Sequence, residues 1–211
     1  MPLQVQKGTA LNPQPSAVPT REVAFDDPKV PDNAPPEPII LKINHAFQET
    51  KLWCWAACIQ MVLKYYEREE PDSQCEILRR KLGDDNHHCP QGENQVESGI
   101  DDCEPILMAD TWRACGIEKV VPVNNPVSMD IIKQELKAHR PLEVGIGWTN
   151  GGGHAVLIKG WAATTPESLV IDDPLRESPL NFPSGSGRAT HDELLAALGH
   201  GEWQYTWARL V

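Results

Sequence analysis

The chain has 211 residues, enough for one domain of ordinary size with an appended segment. Lys and Arg number 19 against 30 Asp and Glu, so the formal net charge is −11, which argues against the basic face that nucleic acid or an anionic membrane requires. Apolar residues make up 40%, as in a soluble globular protein, and the most apolar stretch, Leu52 to Leu63, is too short to span a bilayer.

Nine of the 19 prolines fall in the first 38 residues. Proline removes a backbone donor and holds its predecessor extended, so residues 1–38 read as a Pro-rich tail or arm. The opening Met1-Pro-Leu-Gln-Val-Gln-Lys-Gly lacks a basic segment followed by an apolar run, so no signal peptide is read. The expected location is the cytoplasm, or the outside of the cell through a secretion machine that needs no such leader. The globular domain is expected over residues 39–211.

Ile39-Ile-Leu-Lys-Ile alternates loosely, as a short strand does. Trp55, Cys58, Met61, Val62 and Tyr65 recur at three- and four-residue steps, which predicts a helix from Cys54 to Glu69, stopped by Pro71. Ser73-Gln-Cys-Glu76 has the pattern of a capping box opening a second helix that ends at Gly83. Residues 84–112 carry eight acids and no Lys or Arg, a loop-rich insert, with a short helix from about Pro105 to Cys115 closed by Gly116. Glu118–Val123 reads as a strand and Ser128–His139 as an amphipathic helix. Strands follow at Pro141–Trp148, His154–Ala162, Ser168–Asp172 and Glu202–Val211, with a short helix after Thr190 that ends at Gly199. Helices fill the first half and strands the second, an α+β arrangement in two lobes, about 48–116 and 117–211.

One constellation carries chemistry. In Gln48-Glu-Thr-Lys-Leu-Trp-Cys54-Trp-Ala-Ala a cysteine stands where a polar loop becomes a long apolar helix. The helix start offers unpaired N–H groups and the positive end of its dipole, and both favour the nucleophilic thiolate. A nucleophile needs a base, and the base an orienting partner. Gly151-Gly-Gly-His154-Ala-Val-Leu-Ile-Lys-Gly-Trp161 sets a histidine at the mouth of an apolar strand, and the next strand ends in Asp172-Asp173-Pro174. A carboxylate there is suited to hold the imidazole nitrogen that faces away from the sulfur. One of the two aspartates is then simply a turn residue.

These motifs resemble the papain-like cysteine proteases. Gln48, six positions before Cys54, matches the family's oxyanion-donating glutamine. Trp53-Cys-Trp-Ala-Ala, Gly153-His154-Ala-Val and Ile171-Asp-Asp-Pro174 are similar to a bacterial branch that includes type III effector proteases and peptidases that process bacteriocin leaders. Ser73-Gln-Cys75 is similar to a segment after the nucleophile helix of the effector-like branch. The resemblance spans about Gln48 to Pro174, in the family's order of Cys, His and Asp. The chain lacks papain's Cys-Gly-Ser before the nucleophile and its Asn-Ser-Trp, so papain's specificity pocket does not carry over.

The resemblance implies a papain-like two-lobed fold and a Cys-His-Asp triad. Cys54 is then the nucleophile, His154 the base and later the acid, and Gln48 an oxyanion donor with the Cys54 backbone N–H. Asp173, directly before Pro174, is favoured over Asp172 as the orienting acid. The expected reaction is hydrolysis of a peptide bond through a thioester acyl-enzyme, without metal or organic cofactor, in a candidate bacterial effector or toxin. Deamidation, transglutamination and isopeptide cleavage use the same triad, and a catalytically inactive binding module would keep the same fold. The expected partner is a peptide or protein, of basic character if the acidic insert attracts it. In an exported protein the Pro-rich arm is a candidate delivery signal or removable segment.

The remaining cysteines differ in their settings. Cys58, one helical turn after Cys54, reads as a buried core thiol. A disulfide between Cys89 and Cys103 would close a loop of 14 residues, contribute about 3 kcal/mol in the usual entropy treatment, and point to export. His87-His88-Cys89, taken with Cys75 or Cys103, matches no zinc-site spacing. Trp55 and Trp161 read as core, and Trp53 and Trp148 as lining or bracing the cleft.

Overall fold

The computed structural model describes residues 37–67, 73–82 and 105–211. Nearly all of the Pro-rich arm, Pro71 and the acidic insert through Glu104 lie outside the described residues. His87, His88, Cys89 and Cys103 lie there too, and with them the expected Cys89–Cys103 disulfide.

The described elements run β1 (Ile39–Ile40), α1 (Cys54–Tyr65), α2 (Gln74–Leu82), α3 (Pro105–Ala114), β2 (Val121–Val123), α4 (Met129–Lys137), β3 (Leu142–Trp148), β4 (Gly153–Ala162), β5 (Ser168–Asp172), β6 (Ser186–Ala189), α5 (His191–Leu195), a 3-10 turn (Ala197–Gly199) and β7 (Gly201–Ala208). The strands form one antiparallel sheet in the order β2-β7-β3-β4-β5-β6, with β1 paired to β4. The α+β class follows from this order: the early helices lie against a sheet built almost entirely from the second half of the chain.

Helix α1 is buried on every side from Cys54 to Leu63. A helix apolar all round belongs inside, and α1 packs between β4 and α2. Its buried Gln60 receives a hydrogen bond from the Gln74 side chain of α2, and Gln74 also donates to the Phe47 carbonyl. The helix stops at Tyr65 rather than at Glu69, and Glu67 takes a left-handed backbone with φ 51°. Leu41, Ile43, Trp55, Trp112, Ile117, Trp161 and Trp207 belong to one core cluster with the apolar face of the sheet. Trp55 and Trp161 are core, as read from the sequence, and Trp53 is buried with them at 3% exposure.

Two further elements differ from the sequence reading. The first strand is only two residues long, although Leu41 still donates its N–H to the Lys159 carbonyl. Strand β6, Ser-Gly-Arg-Ala, was not expected, because it has no apolar alternation and takes its order from pairing with β5 at the sheet edge. The α5 cap is as expected: Thr190 and Glu193 form a reciprocal capping box. Among the described residues no helix is long and apolar enough to cross a membrane.

Candidate active site

Cys54 is the first residue of α1, and Trp53 before it provides no side-chain cap. The first-turn N–H groups are therefore left facing the position of the cysteine, where they favour negative charge. Cys54 is a free thiol, 5% exposed.

The β3–β4 hairpin delivers the histidine. Gly151 and Gly152 turn with φ of 90° and 83°, a left-handed pair that side-chain-bearing residues adopt at a cost. The strands then run in register, with His154 opposite Ile146. Because α1 packs on β4, His154 is brought toward Cys54 at the head of α1, close enough for their charges to interact. Its Nε2 stands 2.7 Å from Asp173 Oδ1, which leaves Nδ1 for the sulfur. Burial disfavours the charged imidazole, but the hydrogen bond to Asp173 and the charges on Asp173 and Cys54 outweigh it, and the His154 pKa rises to about 9. The Trp148 ring lies over the imidazole, with centroids 5.4 Å apart and planes at 18°, and shields it from water.

The two aspartates separate. Asp173 faces His154, and its Oδ1 also accepts the Leu175 N–H at 2.9 Å. Its own N–H donates to the Gly185 carbonyl, and its carbonyl lies 2.9 Å from His45 Nε2. Asp172 turns to the other side, where it pairs with Lys159 at 2.7 Å and accepts a hydrogen bond from the Ser186 hydroxyl. Both are fully buried. Successive residues of an extended chain project to opposite faces, so only one of the pair can meet the histidine.

Gln48 lies in the segment before α1 and is tied to the same turn, its N–H donating to the Pro174 carbonyl at 2.9 Å. Its side-chain amide donates to the Thr50 and Lys51 carbonyls, at 2.7 and 2.8 Å. Both amide hydrogens are thus engaged in its own loop, and donation to an oxyanion requires this side chain to rotate.

Sequence reasoning did not single out Glu143 or His45. Glu143 is fully buried on β3, takes a 2.6 Å hydrogen bond from Trp112 Nε1, and lies close enough to Cys54 for their charges to interact. A lone acid inside a strand pattern was the available signal. His45 had none, because its partner lies 128 residues away. Cys58 is a buried free thiol, as expected, with its pKa pushed well up by burial and then by the charges of Glu143 and Cys54. Cys75 is disulfide-bonded, to a partner outside the described residues.

A cavity of about 500 Å³ opens beside the histidine, bounded by Trp148, Thr149, Leu175, Pro179, Gly199 and His200 among others. Trp148 is at once its wall and the cover of His154, and Leu175 is held by Asp173. Thr149 donates from its N–H and its hydroxyl to the His200 carbonyl, which joins the two loops that flank the cavity.

A family model described as papain-like cysteine protease AvrRpt2 matches residues 39–181. Among solved structures, a double glycine motif protease from an AMS/PCAT transporter, in complex with the leader peptide, is similar at 18% identity over 82% of this chain and 97% of that one, with a TM-score of 0.46. Active wild-type interpain A cysteine protease of Prevotella intermedia is similar at 19% identity over 51% of this chain and 45% of that one, with a TM-score of 0.35. No curated protein matches the chain.

Proposed function

Because the chain belongs to the AvrRpt2 family of papain-like cysteine proteases, we propose that it hydrolyses peptide bonds with Cys54 as nucleophile, His154 as general base and acid, and Asp173 as the orienting carboxylate. Cysteine peptidase activity follows from the family. The assignment of roles rests on one observation above all: buried His154, on the strand against which the Cys54 helix packs, bridges to Asp173 at 2.7 Å.

The chemistry follows from that bridge. With its pKa near 9, the imidazole stays protonated at neutral pH and supports the thiolate. The Cys54 sulfur attacks the scissile carbonyl carbon and the carbonyl electrons move to oxygen. The Cys54 backbone N–H, and the Gln48 amide once rotated off the Thr50 and Lys51 carbonyls, donate to that oxyanion. As the intermediate collapses, the C–N bond breaks, the leaving amine takes the proton from His154, and a thioester remains. His154, now neutral, removes a proton from water. The resulting hydroxide displaces the sulfur, and the thiolate–imidazolium pair returns. Asp173 keeps Nε2 protonated and so leaves Nδ1 to carry the proton in each step.

The substrate is a peptide segment with a side chain in the cavity beside Trp148. The cavity wall is mainly apolar, which supports an uncharged residue there. The effector-type family also supports action as an exported bacterial effector, for which residues 1–38 are a candidate delivery segment.

The decisive experiment is labelling with an epoxysuccinyl thiol-protease probe alongside turnover of a peptide library. The reading expects one mole of label per mole of wild type, none on Cys54→Ala, and no turnover by that variant. Hydrolysis surviving in Cys54→Ala would overturn it. Ammonia released from a glutamine substrate without chain cleavage would reassign the same triad to deamidation.

A further inference from the structure

Gln74 opens α2 and is 1% exposed, and no step above uses it. Its carboxamide faces the loop that leads into α1. Nε2 donates to the Phe47 carbonyl at 2.8 Å and to Gln60 Oε1 on α1 at 3.2 Å. Oε1 accepts the Glu49 N–H at 2.8 Å. Glu49 returns the contact, its carboxylate oxygen standing 3.4 Å from the Gln74 N–H. Phe47 and Glu49 flank Gln48. One side-chain amide therefore grips the main chain on both sides of Gln48, donor to carbonyl and acceptor to N–H, as an adjoining strand would. The Gln48 N–H itself is taken by the Pro174 carbonyl at 2.9 Å, and His45 Nε2 lies 2.9 Å from the Asp173 carbonyl. The loop is thus stitched both to α2 and to the aspartate turn.

A buried amide is unfavourable unless its donors and its acceptor are engaged. Here they are. Gln60, the only amide side chain in the buried run Cys54–Leu63 of α1, takes the second N–H and so sets which way the Gln74 amide faces. We propose that Gln74 is a positioning residue of the oxyanion site: it holds the main chain at residues 47–49 still, so that the Gln48 side chain reaches the oxyanion by turning about its own torsions alone. This rests on the reading of Cys54 as the nucleophile and of Gln48 as a donor to its oxyanion.

The resting position of Gln48 gives the clamp a specific effect on rate. Its amide must leave the Thr50 and Lys51 carbonyls before it can donate elsewhere. With the flanking main chain held, the amide swings from a fixed pivot and arrives at the same place in each turnover. Without the clamp, the loop is free to follow the side chain, and the donor is misplaced. Stabilisation of developing charge depends on donors that are already in position.

The test is kcat, KM and the rate of Cys54 alkylation by iodoacetamide in Gln74→Met, Gln48→Ala and the double variant. Methionine fills similar space in the helix and makes none of the amide's hydrogen bonds. A misplacement of about 1 Å costs up to about 10²-fold, so Gln74→Met is expected to lower kcat by about tenfold to 10²-fold with KM little changed. Alkylation displaces iodide and builds no oxyanion, so its rate is expected to stay at the wild-type value. In the double variant kcat should be no lower than in Gln48→Ala, because Gln74 acts through Gln48. An unchanged kcat in Gln74→Met, losses that multiply in the double variant, or alkylation that slows along with kcat overturns the proposal. If Gln74→Met does not fold, hydrogen exchange in the full-length wild type decides. The Gln74 Nε2 protons and the Glu49 N–H are expected to be protected together, and carboxamide protons that exchange as freely as those of an exposed glutamine overturn it. Cys54→Ala, run in parallel, separates the two readings. Turnover that survives it, or a kcat in Gln48→Ala close to that of the wild type, sinks the reading of the oxyanion site and the proposal with it. A slow Gln48→Ala beside an unimpaired Gln74→Met sinks only the role of Gln74.

Discussion

His154 Nε2 lies 2.7 Å from Asp173 Oδ1, and that same oxygen accepts the Leu175 N–H at 2.9 Å. One oxygen therefore orients the imidazole and pins the wall of the adjoining cavity. In the proposed reaction, base and substrate wall share this single anchor.

Asp173→Ala removes that anchor, and Asp172→Ala does not. The first is expected to lower kcat by about 10²–10⁴-fold, the usual worth of a positioned acid–base partner. The second strands Lys159, whose side chain is 12% exposed, without its ion pair. Loss of one member of a buried pair costs about 3–5 kcal/mol, so Asp172→Ala should unfold earlier yet keep most of its turnover per folded molecule. Steady-state kinetics with thermal unfolding on both variants checks this, and equal kinetic losses would contradict it.

Gln48→Ala should reduce kcat by about 10²–10³-fold, the cost of losing one oxyanion donor, with the Cys54 N–H still in place. The amide bonds to Thr50 and Lys51 add a second consequence. They brace the loop that leads into α1, so the variant should also show faster amide exchange at residues 48–53. A kcat within a few-fold of the wild type would remove Gln48 from the oxyanion site.

Trp148→Ala should act on both kinetic constants. The stacked ring covers His154 and also forms the cavity wall. Aromatic stacking is worth about 0.5–1.5 kcal/mol, so kcat should fall a few-fold to about tenfold. KM should rise as well, because the apolar wall is lost. Trp148→Phe should recover part of both, and a KM untouched in the alanine variant would detach the cavity from the substrate.

Glu143 makes stability depend on pH, with a definite sign. Burial raises its native pKa from the ordinary carboxyl value of 4.5 to about 8. Its contribution is fully present below the unfolded value, because both states are then protonated. As pH rises from 4.5 toward 8 the unfolded chain ionises while the native carboxyl does not, and stability falls. Glu143→Gln lacks this loss. The melting temperature of the variant minus that of the wild type should therefore climb from pH 5 to pH 8, and a difference independent of pH would contradict the buried neutral acid.

Much of the site was legible before the fold. Cys54 and His154 each sit at a junction that neighbouring residues specify: a polar loop running into an apolar helix, and a glycine turn running into an apolar strand. The papain-like likeness joined them in order, and the family match bears out the likeness itself. Strand β6 escaped because Ser-Gly-Arg-Ala has no alternation to read, and pairing with β5 alone makes it a strand. The overlong reading of α1 failed because a periodic pattern does not mark where the chain turns left-handed, which here is Glu67.

The sequence alone determined the α+β class, the cysteine helix, the histidine strand and the aspartate pair, since each is written in residues a few positions apart. Only the tertiary structure decided that Asp173 rather than Asp172 meets His154, that the Gln48 amide rests on its own loop, and that Glu143 is buried against the Trp112 indole. The physical reason is the same in all three cases. Which way a side chain projects, and what it finds there, depends on the packing of strands and helices remote in sequence, and adjacent residues of an extended chain meet opposite surroundings.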